Sequence, residues 1–363
     1  MGTTTAYKPA SEHVSAPSAP APRRTGLARD MTLLAIVGVF LIGAVAAGVG
    51  VLYREFYSPT AFVQQYLTLL SEGRAADALA LPGVAPDSSE LTAAGLPVTA
   101  SDALLRRAAL APLTDVEMVS EESVGERTRV TVSFRAAGHE GTATFDVAPN
   151  GWIGVTPAWR FARTPLAVLD LTVRGSMQFT VNGFEVDKRQ VSPDGVEADP
   201  LAPVPLLVFS PGAYRVAVDT AIAATPGVDV LADKPLADVP LELQAEPTDE
   251  FVKVVQERVD GFLADCATQK VLQPTGCPFG FVVTDRIDGE PEWSIAENPK
   301  ITVEPDGAHW SIPLTRAVSH IEVDVVSLFD GTVRHVDRDV PFLVGGDITI
   351  LPDGTASIRV TGS

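Results

Sequence analysis

The sequence predicts an α+β protein that begins with one transmembrane helix. Residues 31–53 form an apolar run without a charged side chain. Apolar residues then recur with helical spacing after Phe62 and again after Phe251, and each stretch precedes segments in which apolar and polar residues alternate. Helices followed by strands that pair with their chain neighbours are the layout of the α+β class.

The charge of the chain is unevenly distributed. The formal net charge is -19; because residues 1–30 carry +2 and residues 31–53 carry none, the remainder carries -21. Such an acidic surface repels phosphate backbones, which argues against a nucleic-acid partner. Acidity of this kind also keeps an exposed domain soluble.

Residues 31–53 are predicted to cross a lipid bilayer. About 20 apolar residues, each rising 1.5 Å, cover a hydrocarbon core of roughly 30 Å. The alternative is a cleaved signal peptide, since AVAAG resembles a cleavage site. The apolar run exceeds the roughly 7–15 residues of a signal peptide, and a long tail precedes it, so the sequence favours an uncleaved anchor.

Basic residues predict the orientation of this anchor. Arg23, Arg24 and Arg29 precede the apolar run, whereas Arg54 follows it beside Glu55. Since basic residues stay on the cytoplasmic side, we expect a single-pass protein of the cell membrane with a cytoplasmic N-terminus and an extracellular C-terminal region.

Two further expectations concern the tail before the predicted anchor and the small residues within it. Residues 1–30, rich in Ser, Thr, Ala and Pro, are predicted to be a disordered tail. Small residues such as Ala44 and Gly48 allow two helices to approach closely, so a homodimer is one option. The alternative is that they are the Gly and Ala common in any membrane helix.

Residues 58–163 are predicted to form a first α+β domain. Ser58 and Pro59 are typical of a helix start, where a hydroxyl caps free N–H groups and proline fits the first turn. The apolar residues that follow with helical spacing are Phe62, Tyr66, Leu69 and Leu70. A short helix over 75–81 and one capped by Ser101 are expected next. Alternating strands then follow, with a hairpin at Asn150-Gly151.

The rest of the chain is predicted to form two more parts. Residues 164–245 are rich in proline, which excludes long helices and favours a small β module. Residues 246–363 begin with a helix whose apolar stripe runs from Phe251 to Leu263, followed by a strand meander. The openings SPTAFVQQYL and EPTDEFVKVV are alike, so we interpret the first and third parts as a diverged repeat.

Two stretches carry a resemblance to known families. The segment PTAFVQQYLTLLSEGRAADALAL, followed by a meander, resembles nuclear transport factor 2-like (cystatin-like) domains. FTVNG with the later SPGAYRVAV resembles the small β modules of bacterial surface proteins. The combination resembles membrane-anchored envelope proteins of Gram-positive bacteria, particularly actinobacteria. The resemblance implies two cystatin-like domains separated by a β module. It does not decide function, because this fold serves enzymes, binders and scaffolds alike.

The two cysteines, Cys266 and Cys277, are predicted to form a structural disulfide between a helix end and the following strand. A catalytic cysteine needs a nearby base, and the closest preceding histidine is His139. A metal site needs more ligands than two thiols.

No catalytic, cofactor or metal site is predicted elsewhere. The sequence contains no HExxH, GxSxG, P-loop or GxGxxG pattern in a suitable context. We favour surface histidines over a shared site for His309, His320 and His335. Acid pairs such as Asp337 with Asp339 are interpreted as solvated strand faces, with calcium binding as the alternative. The four tryptophans are interpreted as core or rim residues, with a sugar platform as the alternative.

We therefore expect a non-enzymatic, membrane-anchored binding or scaffold protein of the cell envelope. Its expected partner is an envelope protein or a cell-wall polymer, with no cofactor. The alternative is an extracytoplasmic enzyme that acts on a small molecule or cell-wall fragment in a cystatin-like pocket, where one acid or histidine acts in apolar surroundings.

Overall fold

The computed structural model describes residues 2–3, 27–154, 156–351 and 355–362. Most of the predicted disordered tail lies outside the described residues. The chain divides into two units, residues 1–56 and 57–363. The helix that contains the predicted anchor has described side chains only at 31–44, 56 and 57, so Gly48, which was named with Ala44 for a homodimer, lies outside this set.

The first unit corrects the membrane prediction. Its helix, α1, runs Leu27–Tyr57. In the part of the chain that the structure describes, no helix is both long enough and apolar enough to cross a membrane. The prediction of a transmembrane helix at 31–53 is therefore wrong, and so is the single-pass cell-membrane localisation with a cytoplasmic N-terminus and an extracellular C-terminal region.

The second unit is built mainly from strands. Its helices are α2 (Pro59–Ser71), α3 (Ala75–Leu79), α4 (Ser88–Ala93), α5 (Lys188–Val191) and α6 (Asp249–Ala267), with 3₁₀ turns at Arg107–Ala109 and Gly195–Glu197. Its first nine strands are β1 (Leu113–Val124), β2 (Arg127–Ala136), β3 (His139–Ile153), β4 (Thr156–Phe161), β5 (Leu166–Arg174), β6 (Gln178–Val181), β7 (Phe184–Asp187), β8 (Val204–Phe209) and β9 (Gly212–Ala217). The others are β10 (Ala223–Ala224), β11 (Val228–Ala232), β12 (Asp238–Gln244), β13 (Glu246–Pro247), β14 (Arg286–Glu297), β15 (Glu304–Asp306), β16 (His309–Val326), β17 (Val333–Ile350) and β18 (Ala356–Gly362).

The first sheet is an antiparallel meander in the order β1-β2-β3-β4, covered on one face by α2. Helix α2 starts as predicted, since the Ser58 hydroxyl accepts a hydrogen bond from the Ala61 N–H at 3.0 Å. Phe62, Tyr66 and Leu70 of α2 are buried against the sheet. Apolar burial of this kind holds a 13-residue helix that would be marginal alone.

The middle of the chain forms two sheets that share a core. One sheet has the order β11-β9-β6-β7, and the other has the order β12-β5-β8. Strand β12 pairs parallel to β5, with Asp238 opposite Val168. Residues from both sheets, including Leu171 and Val216, belong to one buried apolar cluster.

The last sheet has the order β14-β16-β17-β18, and β15 pairs with one end of β16. Helix α6, capped by the Thr248 hydroxyl, packs its apolar stripe into the same core as the middle sheets. Phe251 meets the Trp310 ring edge to face, with centroids 6.0 Å apart. The buried apolar cluster therefore runs from the middle sheets into the last one.

The predicted fold class is wrong. Among the described residues, strands contain nearly twice as many residues as helices, so the protein is mostly β and not two helix-plus-meander α+β domains behind a transmembrane helix. The physical reason lies in the core: α6 and the last sheet do not close a core of their own, because Trp310 and its neighbours pack with residues of the middle sheets. The domain boundaries at 163/164 and 245/246 remain predictions.

Candidate anion-binding groove

The outer face of the first sheet carries polar side chains that the strand register places side by side. Since Val130 and Val132 of β2 are buried on the α2 side, the residues between them face outward. In the register, Arg129 lies opposite Asp146 and Thr131 lies opposite Thr144. The Thr131 and Thr144 hydroxyls are 3.1 Å apart. The face therefore offers hydroxyls next to a guanidinium.

Two cavities of about 520 and 510 Å³ open at this side of the molecule. The first lies between the α4 region and the ends of β2 and β4, and the second lies between the sheet face and the loop that joins β11 to β12. Arg163 lines both, so we name the pair together the basic groove. Its cations are Arg127, Arg129, Arg160, Arg163 and Lys234.

Most cations of the basic groove lack an acidic partner. Arg129 is paired, since its Nε lies 3.1 Å from Oδ1 of Asp146. The other four cations form no ion pair within the part of the chain that the structure describes. The acids of the groove are Asp87 and Glu90, which accept hydrogen bonds from the backbone N–H groups of Ser89 and Thr164, together with Glu122 and Asp146. Five cations therefore face four carboxylates, so the lining carries a small positive excess in an otherwise acidic unit.

Arg163 is positioned by its neighbour Thr164, which is fully buried. The Thr164 hydroxyl donates to the Val84 carbonyl oxygen at 2.6 Å and accepts from the Leu166 N–H at 3.2 Å. The Thr164 N–H donates to Glu90 Oε1 at 2.8 Å. These bonds tie the strand exit to the α4 region, so the backbone that carries Arg163 is fixed while its guanidinium stays exposed.

The wall of the first cavity depends on a close backbone approach at Gly83. Its φ of +80° is in the left-handed region, and a Cβ there would lie 2.3 Å from the Phe161 carbonyl oxygen. The Phe161 N–H donates to the Pro82 carbonyl oxygen at 2.9 Å. Glycine therefore allows the loop before α4 to lie directly on β4, beside Arg160.

The groove chemistry suits an anion. A guanidinium presents N–H donors in a planar fork that matches carboxylate and phosphate oxygens. In a unit of net charge -21, a cluster of exposed cations is the place to which an anionic ligand is steered. The hydroxyls of Thr131 and Thr144 add hydrogen-bonding groups for the uncharged parts of a ligand.

The interior beneath the first sheet is filled by side chains. Tyr66, Phe145 and Phe161 pack with ring centroids between 5.1 and 6.0 Å apart. The Tyr66 hydroxyl donates to the Ser210 carbonyl oxygen at 3.0 Å, and burial raises the pKa of Tyr66 well above its ordinary value. None of the described Asp, Glu or His side chains is buried.

The two cysteines singled out in the sequence form a disulfide, with an S–S distance of 2.02 Å. The bond joins the C-terminal turn of α6 to the segment before β14, away from the basic groove. Among the residues that the structure describes, no group of three or more His, Cys, Asp or Glu side chains is arranged to hold a metal ion.

The tryptophans and histidines lie in separate places. Trp293 and Trp310 are buried, whereas Trp152 is exposed at the β3–β4 turn. His320 and His335 lie on one face of the last sheet beside acidic residues, whereas His309 lies at the other end of β16. Trp159 of β4 is half-buried, and no two of the described tryptophans pack ring against ring.

The sequence interpretation missed the groove cations. They come from β2, from the end of β4 and from the β11–β12 loop, so only the fold brings them together. A weak signal was present in the pairs Arg127/Arg129 and Arg160/Arg163, whose members are close in sequence.

Compared with protein-family models, curated proteins and solved structures, the chain has no significant match.

Proposed function

We propose that residues 57–363 act as a non-enzymatic binding protein that holds an acidic polymer in the basic groove. The observation that supports this proposal concerns four cations that surround two adjoining cavities of an otherwise acidic unit. Within the described residues, none of the four has an ion-pair partner. The sequence left open a protein or a cell-wall polymer as partner. The two adjoining cavities, the cations without an ion-pair partner and the hydroxyls favour a carboxylated or phosphorylated polymer.

The observations give less support to an enzyme. A general acid or base of altered pKa is usually partly buried in an apolar pocket. The described carboxylates and imidazoles are not buried, and aromatic side chains fill the interior beneath the first sheet. The groove itself is open and polar, which suits recognition of a chain that passes along the surface.

The test uses the full chain and an oligogalacturonate as the anionic glycan probe, measured by calorimetry. A maltooligosaccharide of equal length is the uncharged control. We expect the oligogalacturonate to bind and the affinity to fall with added salt, because the contacts are charged. The double substitution Arg163→Gln and Lys234→Gln is expected to weaken binding about tenfold or more, as loss of charged hydrogen bonds does.

A matched variant separates the groove from net charge. Arg258→Gln with Lys253→Gln removes the same two charges from exposed positions on α6 and leaves the groove unchanged. Its affinity is expected to equal that of the wild type. Equal losses in both double variants, or equal binding of the maltooligosaccharide, would show that the basic groove is not the binding site.

A further inference from the structure

The outer face of the last sheet carries a nine-residue patch of six acids, two histidines and one serine. The strand register places its residues in three rows across β14, β16 and β17. The rows are Ser294–His320–Asp339, Glu292–Glu322–Asp337 and Asp288–Asp324–His335. The opposite face of β16 carries buried Ile321, Val323 and Val325. We name these nine residues the acid–histidine patch.

The middle row contains three carboxylates and no cation. Like charges directly opposite each other on adjacent strands destabilise the pairing. The lower row adds Asp288 opposite Asp324, so six carboxylates surround two imidazoles in the patch. The other cations near this face lie outside it: Arg286 and Arg316 at its two ends, and Lys270, whose Nζ pairs with Glu290 at 2.7 Å.

The histidines sit where a positive charge offsets this repulsion. His320 Nδ1 lies 2.8 Å from Asp339 Oδ1, while its Nε2 lies 3.3 Å from Asp337 and 3.7 Å from Glu322. His335 Nδ1 lies 2.8 Å from Asp324 Oδ1. Each imidazole therefore bridges β16 and β17.

Strand β17 is weakly held at this end. Its pairing with β18 begins only at Val344, so residues 333–343 pair with β16 alone among the described strands. The hairpin tip beyond the patch contains the exposed side chains Leu328 and Phe329. A change in the charge of the patch therefore acts on a stretch of β17 that has a paired strand on one side only.

We propose that the acid–histidine patch is a proton-operated clasp, which holds the outer ends of β14, β16 and β17 together when His320 and His335 are protonated and loosens them when both are neutral. The hydrogen bond to Asp339 raises the pKa of His320, and the hydrogen bond to Asp324 raises the pKa of His335, despite partial desolvation. The clasp is therefore closed below the ordinary histidine pKa of about 6.5 and opens as the pH rises through the raised values.

The test is hydrogen exchange of the full chain at about pH 5.5 and about pH 8.5, a range in which Asp and Glu stay ionised and histidine is the only side chain to change charge. Protection factors, corrected for the intrinsic effect of pH, are compared for peptides within 318–341. We expect protection to be about two- to fivefold lower at the higher pH, the size expected from exposed charge pairs. Peptides within 204–217 of the middle sheets, which contain no histidine, serve as the internal reference and are expected to show no such change.

Three variants make the result specific. In His320→Gln with His335→Gln, the pH dependence of protection within 318–341 is expected to vanish, whereas His309→Gln is expected to retain it. In Glu322→Gln with Asp337→Asn, the middle row loses two charges, so the strands are expected to stay protected at the higher pH. Equal protection at both pH values in the wild type, or a pH effect that survives in the double histidine variant, would overturn the clasp.

Discussion

At the scale of single residues, hydrogen bonds between neighbouring strands determine the behaviour of the ionisable groups. His320 is only partly exposed, yet its ring contacts three carboxylates on two strands. Arg163, by contrast, is held by the backbone bonds of Thr164 and keeps its guanidinium available. His320 is therefore engaged in contacts within the fold, whereas the guanidinium of Arg163 is available to bind a ligand.

The residue-scale prediction concerns the protonation of His320. Because Asp339 accepts a hydrogen bond from Nδ1 of the charged ring, we expect the pKa of His320 to lie above its ordinary value. A raised pKa means that His320 contributes stability below about pH 6.5, and that this contribution is lost as the pH rises through the raised value. Nuclear magnetic resonance titration of the ring protons measures it.

The substitution Asp339→Asn tests the cause. It removes the first carboxylate partner and leaves Asp337 and Glu322 in place. The pKa of His320 is expected to fall, while that of His335 is expected to change less, because its main partner is Asp324. A pKa of His320 that does not move in this variant would assign the shift to other charges.

At the scale of elements, the sequence predicted the features that local chemistry controls, such as where a helix begins. Helix α2 begins at Pro59 behind a Ser58 cap, and α6 begins behind Thr248, both as expected. The helix expected after Ser101 is absent: Ser101 instead bridges to Leu206 of β8, and only a 3₁₀ turn forms at Arg107–Ala109. The backbone of Ser101 binds a strand that is distant in sequence, and local helix propensity does not reveal such a contact.

The element-scale prediction concerns the disulfide. Cys266 and Cys277 are 11 positions apart, and closing a loop of this length stabilises a chain by about 3 kcal/mol in the chain-entropy estimate. The variant Cys266→Ser with Cys277→Ser is therefore expected to lower the free energy of unfolding by about 2–3 kcal/mol, measured in urea.

Reduction of the wild type is the matching control for this prediction. Since the described chain has no free cysteine, a reducing agent acts on this bond alone. It is expected to bring the wild type to the stability of the double variant and to leave the variant unchanged. A reduced wild type as stable as the oxidised one would mean that the bond contributes nothing to folding.

At the scale of the whole molecule, side-chain packing over long sequence distances overrode the predicted layout. The sequence placed an apolar stripe on α6 correctly, but it did not show that Trp310 and α6 share one core with Val173 and Ala245 of the middle segment. The groove cations were missed for the same reason, because Arg163 and Lys234 meet only through the folded backbone. Patterns within a window of residues carry no information on such contacts.

The prediction at this scale concerns residues 246–363 as an isolated fragment. Because the buried cluster crosses residue 246, separating the fragment exposes apolar side chains that the middle sheets cover. We expect the fragment to be unfolded or aggregated, and residues 164–363 within the full chain to unfold in one cooperative transition. Circular dichroism and calorimetry measure both properties.

A fragment that folds on its own would be equally clear in these measurements. A fragment 246–363 that gives a dispersed nuclear magnetic resonance spectrum and its own sharp melting transition would support the predicted boundary at 245/246 as that of an independent domain. Proteolysis of the full chain then distinguishes the two cases, since a cooperative unit resists cleavage near Pro247.

The parallel pairing of β12 with β5 has a consequence for biosynthesis. Asp238 leaves the ribosome 70 residues after Val168, its partner on β5. At a translation rate of about 5–20 residues per second, β12, which covers one edge of β5, is synthesised roughly 4–14 seconds after β5. During that interval an apolar strand such as β5 offers unpaired backbone groups to other nascent chains. We therefore expect the yield of native protein to depend on translation speed through 175–238 and on chaperones that shield this edge.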